Sequence, residues 1–195
     1  DPDLPKSVQY TYSAGKVASV TSTGCASCGS SAGTTSYSYV TNGSYPQSPN
    51  DNQLYNTWKT ATRISGPSGR RVEFLNTYGM IIFSVVQTDD GSQRWITHYK
   101  YGYESGSAGK VVEERSPALC AANYTATVTD NWVSDITVAD TQNAGLCRLY
   151  SYDANGNLEI EKARYGVTGS AFFQRKYSYQ TVTVNDRDYY FLSSE

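Results

Sequence analysis

One phrase recurs along this chain: two tyrosines separated by one residue, a short turn with glycine, then an apolar residue two places on. The fullest copy is Tyr150-Ser151-Tyr152-Asp153-Ala154-Asn155-Gly156-Asn157-Leu158, with Leu149 before it and Ile160 after it. A second, Tyr10-Thr11-Tyr12-Ser13-Ala14-Gly15-Lys16-Val17, keeps the aromatic pair, the glycine and the apolar residue. Partial copies are Tyr37-Ser38-Tyr39, Tyr99-Lys100-Tyr101 leading to Gly109-Lys110-Val111, and Tyr177-Ser178-Tyr179. One such unit cannot bury its own apolar face, so units of this kind build structure by stacking on one another.

The unit has the physics of a hairpin. Alternate side chains of a strand share a face, which sets Tyr150 and Tyr152 together and Ser151 opposite. Asn155-Gly156 is the pair preferred by a two-residue type I′ turn, which needs positive φ at both central positions. Leu158 and Ile160 then resume the alternation on the return strand. Strands are predicted over 8–12, 16–21, 34–40, 58–64, 70–76, 80–87, 92–101, 110–115, 122–129, 131–138, 146–152, 157–165, 171–184 and 188–193. Turn signals separate them at Ser65-Gly66-Pro67-Ser68-Gly69, Thr77-Tyr78-Gly79, Asp89-Asp90-Gly91 and Asn185-Asp186. Residues 42–52 read as a surface loop. Met80–Val86 is the most apolar run, and its shortness and β-branching favour a strand buried on both faces. The expectation is an all-β chain, one domain over 1–195, of stacked antiparallel hairpins in a ribbon or partial shell.

On these residues the chain resembles the YD-repeat, or Rhs-repeat, family of large secreted or surface proteins of bacteria. The family phrase runs Tyr-x-Tyr-Asp, two residues, Gly, a polar or basic residue, then Leu or Val. Tyr150, Tyr152, Asp153, Gly156 and Leu158 match it throughout. Tyr10, Tyr12, Gly15 and Val17 match with Ser13 in place of Asp. The resemblance implies a β-sheet ribbon that spirals into a shell, and in some members a toxin released by self-cleavage at an Asp-Pro motif. The one Asp-Pro here is Asp1-Pro2, so the toxin-cage role is not carried over.

Composition agrees with an extracellular or cell-surface β protein. Tyrosine occurs 18 times in 195 residues and the formal net charge is −2, which leaves no electrostatic footprint for nucleic acid. No apolar run approaches the ~20 residues of a membrane span. The start at Asp1 without Met reads as a mature form or an excised fragment, and the fragment is favoured.

Four cysteines bear on redox compartment. Their even number favours two disulfides, Cys25–Cys28 and Cys120–Cys147, over a four-cysteine zinc site or a redox-active Cys-x-x-Cys. Histidine occurs once, at His98, and reads as a strand-surface residue sharing a face with Ile96 and Lys100. The neighbouring carboxylates Glu113 and Glu114 point to opposite faces of a strand, and Asp89-Asp90 reads as turn chemistry. Asp153 to Asn157 has the oxygen spacing of a calcium loop, but position 164 is Arg164 where an EF-type loop needs Glu. No catalytic residue, cofactor or metal is therefore expected. The expected function is a non-catalytic structural or interaction scaffold that joins itself or neighbouring repeats through strand edges. The alternative is a glycan- or adhesion-binding module in which Trp58, Trp95 and Trp132 stack on a carbohydrate or surface partner.

Overall fold

The computed structural model describes residues 8–22 and 33–194. The chain is all-β, built around an open antiparallel sheet of eleven strands. The sheet is a meander: β1 (Val8–Ser13), β2 (Lys16–Ser22), β3 (Gly33–Thr41), β4 (Thr60–Gly66), β5 (Gly69–Leu75), β6 (Ile81–Gln87), β7 (Arg94–Tyr101) and β8 (Val111–Arg115) lie in chain order. A hairpin, β9 (Tyr124–Thr129) and β10 (Trp132–Val138), leaves the sheet before β11 (Leu146–Tyr152), β12 (Leu158–Tyr165) and β13 (Ala171–Lys176) complete it. A second hairpin, β14 (Ser178–Val184) and β15 (Arg187–Ser194), follows. The expected single strand 171–184 is thus broken into β13 and β14. The Tyr177 amide between them bonds instead to the Glu159 carbonyl of β12 at 2.8 Å.

Two short helices depart from the all-strand expectation. α1 (Asp51–Asn56) occupies the end of the predicted loop and the residues after it. It is started by a capping box in which Asn50 Oδ1 accepts from the Gln53 amide and Gln53 Oε1 accepts from the Asn50 amide. Asn56 pins it to the end of β7 through both the amide and the carbonyl of Tyr101. α2 (Pro117–Asn123) displaces the start of the predicted 122–129 strand. Pro117 at its first turn loses no helical hydrogen bond, because the first amides of a helix have no acceptor.

The core lies between the middle of the sheet and the layer formed by α2 and the β9–β10 hairpin. Phe74, Phe83, Val72, Val85 and Ile96 from the sheet meet Cys120, Val133 and Ile136 from the cover. Facing pairs form one row across eight strands: Val40, Ala61, Phe74, Phe83, His98, Arg115, Cys147 and Arg164. Directly opposed residues of an antiparallel sheet share a face, so this row begins aliphatic, turns aromatic and ends charged. Gln87 fastens the cover, donating to the Asn131 carbonyl and accepting from the Val133 amide.

The Asn155-Gly156 turn differs from the expected type I′. Only Gly156 has positive φ (82°); the Gly156 amide bonds the Asp153 carbonyl and the Asp153 amide bonds the Asn157 carbonyl. That is a type I turn closed by a glycine bulge, and Asp153 fixes it by accepting from the Asn155 and Asn157 amides. The two-residue turn with both φ positive occurs at Ala14-Gly15, Asp130-Asn131 and Asn185-Asp186.

Candidate functional site

Four tyrosines make the same bond. Tyr39, Tyr101, Tyr152 and Tyr179, each the second of a Tyr-x-Tyr pair, donate their hydroxyls to the carbonyls of Val17, Ile81, Val111 and Leu158 at 2.8–2.9 Å. Every acceptor is the residue two places after a glycine with positive φ: Gly15, Gly79, Gly109 and Gly156. The phrase therefore closes on its neighbour. The turn glycine sets the start of a strand, and the next tyrosine pair, from 20 to 41 positions on, clips that strand's first carbonyls. A strand-end carbonyl satisfied by a rigid aromatic hydroxyl costs little side-chain entropy, and for Tyr39, Tyr101 and Tyr152 the bond holds two neighbouring strands in one register. Gly79-Met80-Ile81 is a further copy, although its sequence signals only a turn. Its Asn76 takes the part of Asp153, accepting from the Tyr78 and Met80 amides.

Tyr12 is the exception. It is the second tyrosine of the first pair, it is 68% exposed, and no strand lies outside β1 among the described residues. Tyr10 beside it is also exposed.

The densest polar constellation lies where the charged end of the row meets α2. Arg115 is buried and donates to Glu113, Asp140 and the Tyr124 hydroxyl, while Arg164 also donates to Glu113 at 3.5 Å. Two cations and two carboxylates are thereby balanced, as burial demands. A guanidinium has only donors, so the Tyr124 hydroxyl accepts from Arg115, and the same oxygen lies 2.6 Å from His98 Nδ1. The expected surface histidine is instead a core residue stacked on Phe83, because β9 and the unpredicted α2 cover it. Burial and the Arg115 charge push its pKa down to about 3.

Cys120 and Cys147 are both free and buried, which corrects the expected Cys120–Cys147 disulfide. Each sulfur is turned to its own partner: Cys120 to the Arg115 carbonyl, Cys147 to the Arg148 carbonyl and the Arg164 guanidinium. An even count suggests the pairing, but Cys120 belongs to a helix that faces the core. Burial raises the Cys120 thiol to about 12 and the Cys147 thiol to about 11. At neutral pH both thiols are protonated, a poor setting for nucleophilic chemistry. Cys25 and Cys28 lie outside the described residues. Among the described residues no group of three or more His, Cys, Asp or Glu is disposed to hold a metal ion.

The tryptophans do not form a row. Trp58 packs against the core and donates Nε1 to Asp135, and Trp132 packs there too with Arg63 and Arg70 over its ring. Trp95 alone is largely exposed, at the mouth of a cleft of about 410 Å³ between the start of β7 and Pro117 and Ala121 of α2. Glu113 and Glu114 do face opposite ways, the first to Arg115 and the second to the Tyr150 hydroxyl. Asp90 caps its turn, accepting from Thr88 and Ser92, and these bonds lower its pKa to about 2. No helix among the described residues is long and apolar enough to cross a membrane. Compared with family models, curated proteins and solved structures, the chain has no match.

Proposed function

We propose that this chain is a non-catalytic extracellular scaffold of YD-like hairpins, whose work is architecture and which joins further strands through its sheet edges. The observation that carries the reading is the tyrosine clip, repeated four times between a turn glycine's strand and the tyrosine pair that follows. A bond that serves only to register one repeat on the next is a device for extending a sheet. The buried ion cluster supports the reading from another side, since its charged groups are paired with one another.

Sedimentation velocity over a range of concentrations tests it. Reversible growth in the absence of any sugar is the expected result. A monomer at every concentration whose sedimentation changes only with one soluble polysaccharide would instead favour a carbohydrate-binding module. That second reading has one observation behind it, the exposed Trp95 ring at the rim of its cleft. It predicts that Trp95→Ala abolishes the polysaccharide response.

A further inference from the structure

We propose that the outer edge of β1 receives β15 of a second copy of this chain, head to tail and antiparallel, with Tyr12 opposite Arg187 and its hydroxyl on the Asp188 carbonyl. The proposal rests on the scaffold reading and names the partner and the register that the scaffold would use.

Tyr12 stands where four other tyrosines of the chain find a carbonyl, and it has none among the described residues. The clip asks for a specific acceptor, the second residue beyond a positive-φ turn residue, on a strand with a free edge. β15 supplies it. Its turn, Asn185-Asp186 with φ of 50° and 59°, is the same two-residue type as Ala14-Gly15 with φ of 48° and 75°. Val17 follows Gly15 by two residues, and Asp188 follows Asp186 by two. In such a hairpin the residues flanking the turn bond each other, here Val184 and Arg187, so the next carbonyl points away from the partner strand. Val17 uses that carbonyl to receive Tyr39. Asp188 presents its own along an edge that no strand covers among the described residues.

The side chains agree with the hydrogen bond. With Tyr12 opposite Arg187, Tyr10 falls opposite Tyr189 and Val8 opposite Phe191. All four are exposed, at 55%, 46%, 43% and 55% in that order. Aromatic–aromatic and aromatic–β-branched pairs are favourable across antiparallel strands. β1 carries no charge, so nothing on it repels the Arg187-Asp188 end of β15. The other edge, β13, has no equivalent carbonyl, because the residue two beyond Gly166 is Thr168, outside the strand. A joint between unlike edges leaves β1 free at one end and β15 at the other, so copies add head to tail, as a ring where the rotation closes and as an open polymer where it does not.

The test is sedimentation velocity of the full chain with Val8→Lys, Phe191→Glu, the two combined, and Tyr12→Phe. Each single charge should suppress association, and the double variant, or an equimolar mixture of the singles, should restore it through a Lys–Glu pair across the joint. Tyr12→Phe, which removes only the hydroxyl, should weaken association by roughly two- to tenfold. Association that persists undiminished in both single-charge variants would overturn this joint while leaving the scaffold reading intact. A wild-type chain that never associates would overturn both. The three positions are exposed, so none of these variants disturbs the core.

Discussion

The Tyr152 hydroxyl ends on the Val111 carbonyl, 2.8 Å away and 41 residues earlier in the chain, and so ties the fullest copy of the repeated phrase to the strand before it. Tyr152→Phe keeps the ring and removes the bond. A net loss of about 1 kcal/mol is expected from urea unfolding. Tyr101→Phe should cost more, about 1–3 kcal/mol, because that side chain is buried and the Ile81 carbonyl is left without its donor.

Gly79 and Gly156 hold the same backbone conformation in different surroundings. A Cβ at Gly79 meets nothing, whereas one at Gly156 meets the Lys110 ammonium, which bonds the Gly106 and Gly156 carbonyls. Gly79→Ala should cost about 1–2 kcal/mol for the positive φ alone. Gly156→Ala should cost more. A double-mutant cycle with Lys110→Met would attribute the excess to the displaced ammonium, and an excess that survives Lys110→Met would contradict that attribution.

Burial of His98 couples folding to pH. Its pKa falls from 6.5 in the unfolded chain to about 3 in the folded one, so between those values the unfolded chain binds the proton and the folded chain does not. The penalty is absent above pH 6.5, grows as pH falls below it, and is complete near pH 3. Stability of the wild type should therefore decline from pH 6.5 downward, and His98→Phe should remove that part of the slope. Thermal melts of the two proteins from about pH 4 to 8 would show it, and parallel profiles would refute it.

Arg115 neutralises two carboxylates at once. Arg115→Met should destabilise by about 3–5 kcal/mol, since Glu113 keeps only the longer contact to Arg164 and Tyr124 loses a donor. Arg115→Lys should recover only part of this, because an ammonium cannot serve Glu113 and both Asp140 oxygens together.

Free thiols at Cys120 and Cys147 make a chemical prediction. In a Cys25→Ser/Cys28→Ser variant both remaining thiols should react with a thiol reagent in denaturant and hardly at all in the native state. Reductant should leave the melting temperature unchanged. A thiol count of zero in denaturant would restore the disulfide.

The strands are legible in the sequence because their signal is local: Tyr-x-Tyr alternation, turn glycines, and β-branched runs such as Ile81 to Val86. The clip is half legible, since the spacing Gly15 to Val17 and Gly156 to Leu158 is in the sequence, but the bond joins one copy to the next and so is invisible within either. α2 escapes notice although Ser116-Pro117 followed by Ala and Leu is a helix start, because seven residues give too few turns for a periodicity. Without α2, His98 falls on the surface and the two cysteines are free to be paired on their count alone. The ion cluster depends on Asp140 and Tyr124 returning over the sheet, which no local pattern announces.

The row that crosses eight strands from Val40 to Arg164 changes its chemistry along the way, and the two ends answer differently to temperature. Hydrocarbon burial loses strength as water is cooled, while the hydration of ions is what weakens on heating. Cooling therefore weakens the β3–β6 flank, where Val40, Ala61 and Phe74 lie, and also raises the cost of keeping the Arg115 cluster dry. The two ends part on heating, where the cost of drying the Arg115 cluster falls while the hydrocarbon flank gains nothing further, so the charged end is the better kept in the warm protein.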